Sequence, residues 1–202
     1  MSDKINRIFC VGRNYYSHIK EMNNEIPSKP LIFLKQKNSI NFSHNIVYPD
    51  VSKEFSYEAE LVLKFGEIKK TPLESINEFT FGLDLTLRDI QRECIKKGHP
   101  WEKSKAFDKS APIGKFYSMK SPDYLNDLEF VFKINSDIRQ IGIFSNMIFS
   151  LERIISEISL YWKPEEGDLI FTGTPEGVGM LNRGDILELS SNKTDPFVWN
   201  VV

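Results

Sequence analysis

The chain has 202 residues, 41% of them hydrophobic and 12% aromatic, with 15 Phe, which is enough to bury a sizeable core in one folded unit spanning 1–202. A formal net charge of -2, with acidic and basic residues interspersed, leaves no basic stripe for nucleic acid and no polybasic patch for a membrane surface. No stretch approaches the ~20 apolar residues that span a bilayer. Residues 1–4 carry no secretory leader, and the two widely spaced cysteines, Cys10 and Cys94, suit structural thiols in a reduced, cytoplasmic protein.

Short strands dominate the reading, with few helices. Residues 7–11 form a β-prone run stopped by Gly12, and Asn14 is placed to cap a helix through Tyr16, His18, Ile19 and Met22. Residues 30–35, 45–48 and 58–63 read as strands, the last closed by Gly66. Residues 86–95 have helical spacing, with Leu87, Ile90, Cys94 and Ile95 on one face and Gly98 as the stop. Residues 128–134 and 138–142 form a hairpin across the turn at 135–137. Residues 148–162 give an amphipathic helix that packs Leu151, Ile154, Ile155, Ile158 and Leu160 inward and ends before Pro164. Two strands, 167–171 and 184–189, close the chain, joined by Thr172-Gly173-Thr174-Pro175-Glu176-Gly177-Val178-Gly179. That composition suits a long hairpin connection. It also suits a cradle of backbone N–H groups and hydroxyls for a small carboxylate, but it lacks the Gly-Lys-Ser/Thr ending of a P-loop.

Three carboxylates carry the chemistry. On a strand over 58–63, Glu58 and Glu60 point to one side, about 7 Å apart, while Tyr57, Ala59, Leu61 and Leu63 point to the other. Like charges so placed are costly unless a cation lies between them. With Asp84 as a third oxygen donor and no nearby Cys or His pair, the set favours Mg²⁺, Mn²⁺ or Ca²⁺ over Zn²⁺; the plain alternative is an exposed strand face. In a helix over 15–22, His18 and Glu21 stand at i and i+3, so the carboxylate can orient the imidazole and raise its basicity. The same spacing suits a surface ion pair. Arg13, just before that helix, is a candidate for gripping a substrate carboxylate through its two-pronged guanidinium, or else a structural arginine.

Together, Val11-Gly12-Arg13-Asn14-Tyr15 with His18 and Glu21, Glu58-Ala59-Glu60-Leu61, Asp84-Leu85-Thr86-Leu87-Arg88-Asp89, Trp101 with Lys105 and Phe107-Asp108, and the 172–179 run resemble the fumarylacetoacetate hydrolase family. The resemblance runs nearly end to end and is nearest to the short members without an extra N-terminal domain. It implies an α+β, mainly β fold, a mixed β-roll with a few short covering helices. It further implies a homodimer, a Mg²⁺ or Mn²⁺ site made by Glu58, Glu60 and Asp84, a His18–Glu21 dyad, and Lys105 reaching into the site.

The activity expected from this combination is metal-dependent C–C hydrolysis of an acylpyruvate, a small 2-oxo acid, to pyruvate and a carboxylic acid. His18 would activate water, and Lys105 with the metal would hold the pyruvate enolate. The same site would serve an oxaloacetate decarboxylase or a hydroxyheptadienedioate isomerase or tautomerase. Gln91 and Arg88, one helical turn apart, are candidates to help orient substrate or else solvated helix-surface residues, and Thr174 is a candidate to bind its carboxylate or else only a turn former. Trp101 and Phe107 read as wall or core around Lys105, an apolar setting that would lower the lysine pKa, with Asp108 or Asp89 as its partner. Gln36 stands where the family usually has Pro, which removes that ring's stiffness from the connection after residue 35. A fold that has lost activity is the competing class; its mark would be a missing ligand or dyad residue.

Overall fold

The computed structural model describes residues 5–23 and 25–202, so the reading of residues 1–4 as leaderless lies outside the described residues. In chain order the first half contains β1 (Ile8–Gly12), α1 (Tyr16–Glu21), β2 (Leu31–Lys35), β3 (Ile40–Asn41), β4 (Asn45–Ile46), β5 (Phe55–Tyr57), β6 (Ala59–Phe65), β7 (Ile76–Leu83), β8 (Thr86–Leu87) and α2 (Arg88–Lys97). The second half contains α3 (Glu102–Lys105), β9 (Ala111–Pro112), β10 (Tyr117–Ser118), β11 (Glu129–Ile134), β12 (Asp137–Ile143), α4 (Leu151–Ser159), β13 (Leu169–Phe171), β14 (Gly179–Met180), β15 (Ile186–Ser191) and β16 (Thr194–Val201). The architecture is α+β and mainly β, as the sequence suggests. Among the described residues no helix is long and apolar enough to cross a membrane.

A six-stranded sheet runs β10-β7-β6-β13-β1-β2, and a five-stranded sheet runs β12-β11-β15-β16-β4. In the first, β1 and β13 are parallel while β6 is antiparallel to both β7 and β13. Successive residues of its central strands face different cores: Phe9, Leu61, Leu63 and Ile170 join the main cluster, and Ile8, Cys10, Val62, Leu169 and Phe171 join a second one. Burial on both faces explains why these strands read as continuous apolar runs. The pairing also gathers the ends of β1, β7 and β13 and the start of β6 at one edge of the sheet, and the polar residues that follow or precede them meet there.

Several local expectations are corrected. The segment over 58–63 is not one strand: β5 ends at Tyr57, β6 begins at Ala59, and Glu58 sits at the break. Asn14 does not cap α1, whose N-cap is Tyr15 without a side-chain bond. Its buried amide instead donates to Thr172 O (2.7 Å) and accepts from Phe149 N (2.9 Å), tying three distant segments together. The α4 helix starts only at Leu151, where the Ser150 hydroxyl accepts from Arg153 N–H at 3.3 Å. Leu160 lies past its end and is 71% exposed. On α2, Cys94 is buried, but Ile95 is 56% exposed. The 172–179 run is not a hairpin connection, because β13 and β15 belong to different sheets. Gln36 has φ -78°, within the range a proline ring would impose, so the turn keeps that shape without the ring. The expected hairpin is present with a turn one residue shorter than 135–137: Asp137 already pairs with Ile134, and Asn135 and Ser136 both have positive φ (52° and 72°), the geometry of a tight two-residue hairpin.

Candidate active site

Glu58, Glu60 and Asp84 converge. Each is buried, and each offers an oxygen within 4.8 Å of the others'. They form the floor of a cleft of about 230 Å³ walled by Gly12, Arg13, His18, Phe33, Trp101 and Thr174, with Arg88, Gln91 and Lys105 reaching in. The strand ends supply the acids: Glu58 from the β5–β6 break, Glu60 from β6, and Asp84 from just after β7, where Asp84 N–H bonds Glu58 O at 2.8 Å.

The surrounding cations set the electrostatics. Lys105 Nζ lies 2.7 Å from Glu58 Oε2 and 2.8 Å from Asp84 Oδ2, and Arg88 pairs with Glu58 Oε1. Burial alone would raise the Glu58 pKa, but Lys105 and Arg88 outweigh it and hold this carboxyl far below its ordinary value. Burial pulls Lys105 down, and Asp84 and Glu58 more than reverse it, so the lysine is raised. The lowered pKa and the Asp108 or Asp89 partner expected from sequence are therefore both incorrect. Asp108 accepts from Asn38, and Asp89 accepts from the Ser52 hydroxyl and Lys53 N–H. Beneath the acids lies Lys35, a cation that sequence reasoning passed over. Its side chain is 0% exposed and its ammonium is 2.9 Å from Asp84 Oδ1. It donates to Ser110 Oγ (3.0 Å), Ser110 O (3.1 Å) and the carbonyl of Lys105.

Glu60 is different. Burial first, then the charges of Asp84 and Glu58, push its pKa well above its ordinary value, outweighing a hydrogen bond from Gly173 N–H (2.8 Å) and the charge of Lys105, which work the other way. An acid raised on folding binds more protons folded than unfolded, so its contribution weakens stability as pH rises from its unfolded value toward its folded one. Glu60→Gln is accordingly expected to stabilise the metal-free protein, and to flatten the fall in stability expected as pH rises above the ordinary glutamate range, as measured by urea unfolding in EDTA. The donor set fits a hard divalent cation: three buried carboxylates, oxygen only, one of them poorly compensated by the protein.

The dyad is assembled at the wall. His18 Nδ1 is 3.4 Å from Glu21 Oε2. A carboxylate only accepts, so Nδ1 is the donor in this contact, and Nε2 makes no hydrogen bond among the described residues. Glu21 is itself fixed by Gly177 N–H, at 3.1 and 3.2 Å from its two oxygens. The 172–179 loop thus reaches both halves of the site, through Gly173 to Glu60 and through Gly177 to Glu21. Both glycines have φ above +90°. A Cβ on Gly173 would come 2.7 Å from Asn14 Cβ, and one on Gly177 would collide with Arg139 O.

The remaining candidates are placed as follows. Arg88 is buried rather than solvated; besides Glu58 it donates to Gln91 Oε1 at 2.9 Å and to Ser56 Oγ at 3.3 Å. Thr174 lines the cleft, but its hydroxyl donates to Ala59 O (2.9 Å) and accepts from Gln140 Nε2 (2.8 Å). Arg13 borders the cleft with φ 58°, and its guanidinium makes no hydrogen bond or ion pair among the described residues. Trp101 is wall, edge-on to Phe33 at 6.3 Å, and Phe107 packs on Phe55. Lys35 and Gln140 were missed. The one available signal was a lysine ending an apolar strand; nothing in the sequence around Gln140 marks it.

Comparison with known proteins agrees with this geometry. Residues 7–199 match the family model described as fumarylacetoacetate (FAA) hydrolase C-terminal. A protein of Pyrococcus abyssi is 41% identical over 188 residues, 90% of this chain and 84% of its own. Human "oxaloacetate tautomerase FAHD1, mitochondrial" is 37% identical over 187 residues, 90% of this chain and 85% of its own. The crystal structure of fumarylpyruvate hydrolase from Pseudomonas aeruginosa in complex with Mn²⁺ and pyruvate superposes with a TM-score of 0.90 at 30% identity, covering 100% of this chain and 91% of that one. With sequence, fold and the convergence of its acidic residues in agreement, the chain belongs to the fumarylacetoacetate hydrolase family.

Proposed function

We propose that this chain is a divalent-metal-dependent enzyme that moves protons on a small 2-oxo acid, with enol–keto interconversion of a 2-oxo dicarboxylate as its primary reaction. One observation carries this reading: the His18–Glu21 dyad, with Nε2 unengaged, lines the same cleft as the three buried carboxylates. Glu58, Glu60 and Asp84 would hold Mg²⁺ or Mn²⁺, and the ion would supply Lewis acidity toward the carboxylate and ketone oxygens of the substrate. Arg13, unpaired at the cleft wall, grips the distal carboxylate. Lys105 places positive charge where the enolate oxygen gains negative charge. His18 Nε2 takes a proton from one site of the enol–keto pair and returns one to the other, oxygen or carbon, while Glu21 steadies the imidazolium. Curated relatives named oxaloacetate tautomerase support this order of preference, since tautomerisation needs the dyad but no attacking water.

Acylpyruvate hydrolysis, placed first from the sequence, is the second reading, favoured by the likeness to the fumarylpyruvate hydrolase complex. The same reading takes the working form as a homodimer in the cytoplasm. The test follows the ultraviolet absorbance of enol-oxaloacetate, acetylpyruvate and fumarylpyruvate with Mg²⁺, Mn²⁺ or EDTA, while assaying pyruvate. Metal-dependent loss of the enol band without pyruvate is expected for oxaloacetate. Pyruvate from an acylpyruvate alone would move the assignment to the hydrolase, and pyruvate from oxaloacetate alone to the decarboxylase. No metal-dependent change with any of the three would overturn the proposal.

A further inference from the structure

Gln140 lies on β12, an edge strand of the five-stranded sheet, yet its side chain ends in the other sheet's site. It is 1% exposed, and its amide is fully used. Oε1 accepts from Ala59 N–H at 2.9 Å, and Nε2 donates to Thr174 Oγ1 and to Pro175 O, both at 2.8 Å. These partners belong to the two segments that build the floor and one wall of the cleft.

Ala59 is the residue between Glu58 and Glu60, at the point where β5 has ended and β6 begins. Its N–H goes to Gln140, and its carbonyl accepts from the Thr174 hydroxyl. Thr174 in turn follows Gly173, whose N–H bonds Glu60. The backbone carrying the two acids and the loop facing it are therefore joined through one amide. Beside it, Arg139 O abuts Gly177, whose N–H holds Glu21. We propose that Gln140 is a positioning residue of the site, setting the spacing of Glu58 and Glu60 against the 172–177 loop and so the affinity for the divalent cation. The inference rests on the metal reading above.

The test titrates Mn²⁺ into folded wild type, Gln140→Met and Ile134→Ala at a temperature well below each protein's unfolding midpoint. Ile134→Ala is a core truncation on the neighbouring strand that controls for a merely structural loss. Groups that orient metal ligands typically change affinity 10- to 100-fold when removed. Gln140→Met is therefore expected to weaken Mn²⁺ binding about 10-fold or more, with Ile134→Ala within about twofold of wild type. Equal affinity in Gln140→Met and wild type, or an equal loss in both variants, would overturn the proposal. Amide hydrogen exchange of metal-free wild type is an independent readout that holds even where the variant fails to fold. Ala59 and Gly173 are expected to be protected like sheet amides, and exchange at open-loop rates would also overturn it. If wild type binds no Mn²⁺, the metal reading fails and the affinity proposal with it, whereas failure of Gln140→Met to weaken Mn²⁺ that wild type does bind overturns the Gln140 proposal alone.

Discussion

Replacing His18 with alanine is expected to lower turnover of a 2-oxo acid by about 10²- to 10⁴-fold, the range typical of a lost general acid–base group, with Mn²⁺ binding unchanged. His18 lines the cleft beside the acidic floor with Nε2 unengaged, and among the described residues it makes no bond to Glu58, Glu60 or Asp84 that its loss would break. Glu21→Gln is expected to cost less, because an amide still contacts both His18 and Gly177 but does not stabilise an imidazolium. If the chain cleaves an acylpyruvate as well as decarboxylating oxaloacetate, His18→Ala should depress hydrolysis the more, since only hydrolysis needs an activated water. Rate measurements at saturating substrate, with metal affinity measured in parallel, separate these outcomes. An unchanged rate would remove the dyad from the mechanism.

The second large effect is on stability. Asp84 is the shared counter-ion of Lys105 and Lys35, at 2.8 and 2.9 Å, and both ammonium groups are buried. Asp84→Ala leaves two buried cations short of negative charge, and breaking such a network by removing one partner costs about 3–5 kcal/mol. Urea unfolding in EDTA should show that loss, and added Mn²⁺ should restore none of it. Glu60→Gln is expected to lose the Mn²⁺ response too, yet with the opposite sign in the metal-free protein, because Glu60 is the acid the surrounding cations serve least. Two acidic-cluster substitutions that change stability in opposite directions distinguish a site built to hold a cation from a structural ion-pair network.

Much of the site is legible in the residues themselves. Glu58, Glu60 and Asp84 declare their chemistry by type, and His18 with Glu21 by a spacing that a single short helix satisfies. The abundance of short strands follows from β-prone runs separated by Gly, Pro and Asn, while the α+β roll is what the family resemblance implies. What stays hidden depends on partners far along the chain. Lys35 reads as a solvated strand end until Asp84 and Ser110 are brought onto it. Gln140 sits in a strand whose isoleucines face outward, Ile138 and Ile141 being 58% and 52% exposed, so the usual inference from alternation points the wrong way. A register shift between Phe132 and Lys133 accompanies that inversion. Read locally, Asn14 is a cap, but its amide serves Thr172 O and Phe149 N–H, backbone groups with no ladder partner. The pKa of Lys105 was misjudged for the same reason: Trp101 and Phe107 are its neighbours in sequence, and two carboxylates are its neighbours in space.

The most direct measurement is a calorimetric titration of Mn²⁺ into the EDTA-treated, dialysed wild-type protein, with and without oxalate, a planar dianion that mimics the enolate of a 2-oxo acid. One Mn²⁺ bound per chain, more tightly with oxalate present and abolished by Asp84→Ala, is the expected result. No saturable binding, or binding indifferent to oxalate and to Asp84, would contradict a divalent-metal site for 2-oxo acids at Glu58, Glu60 and Asp84.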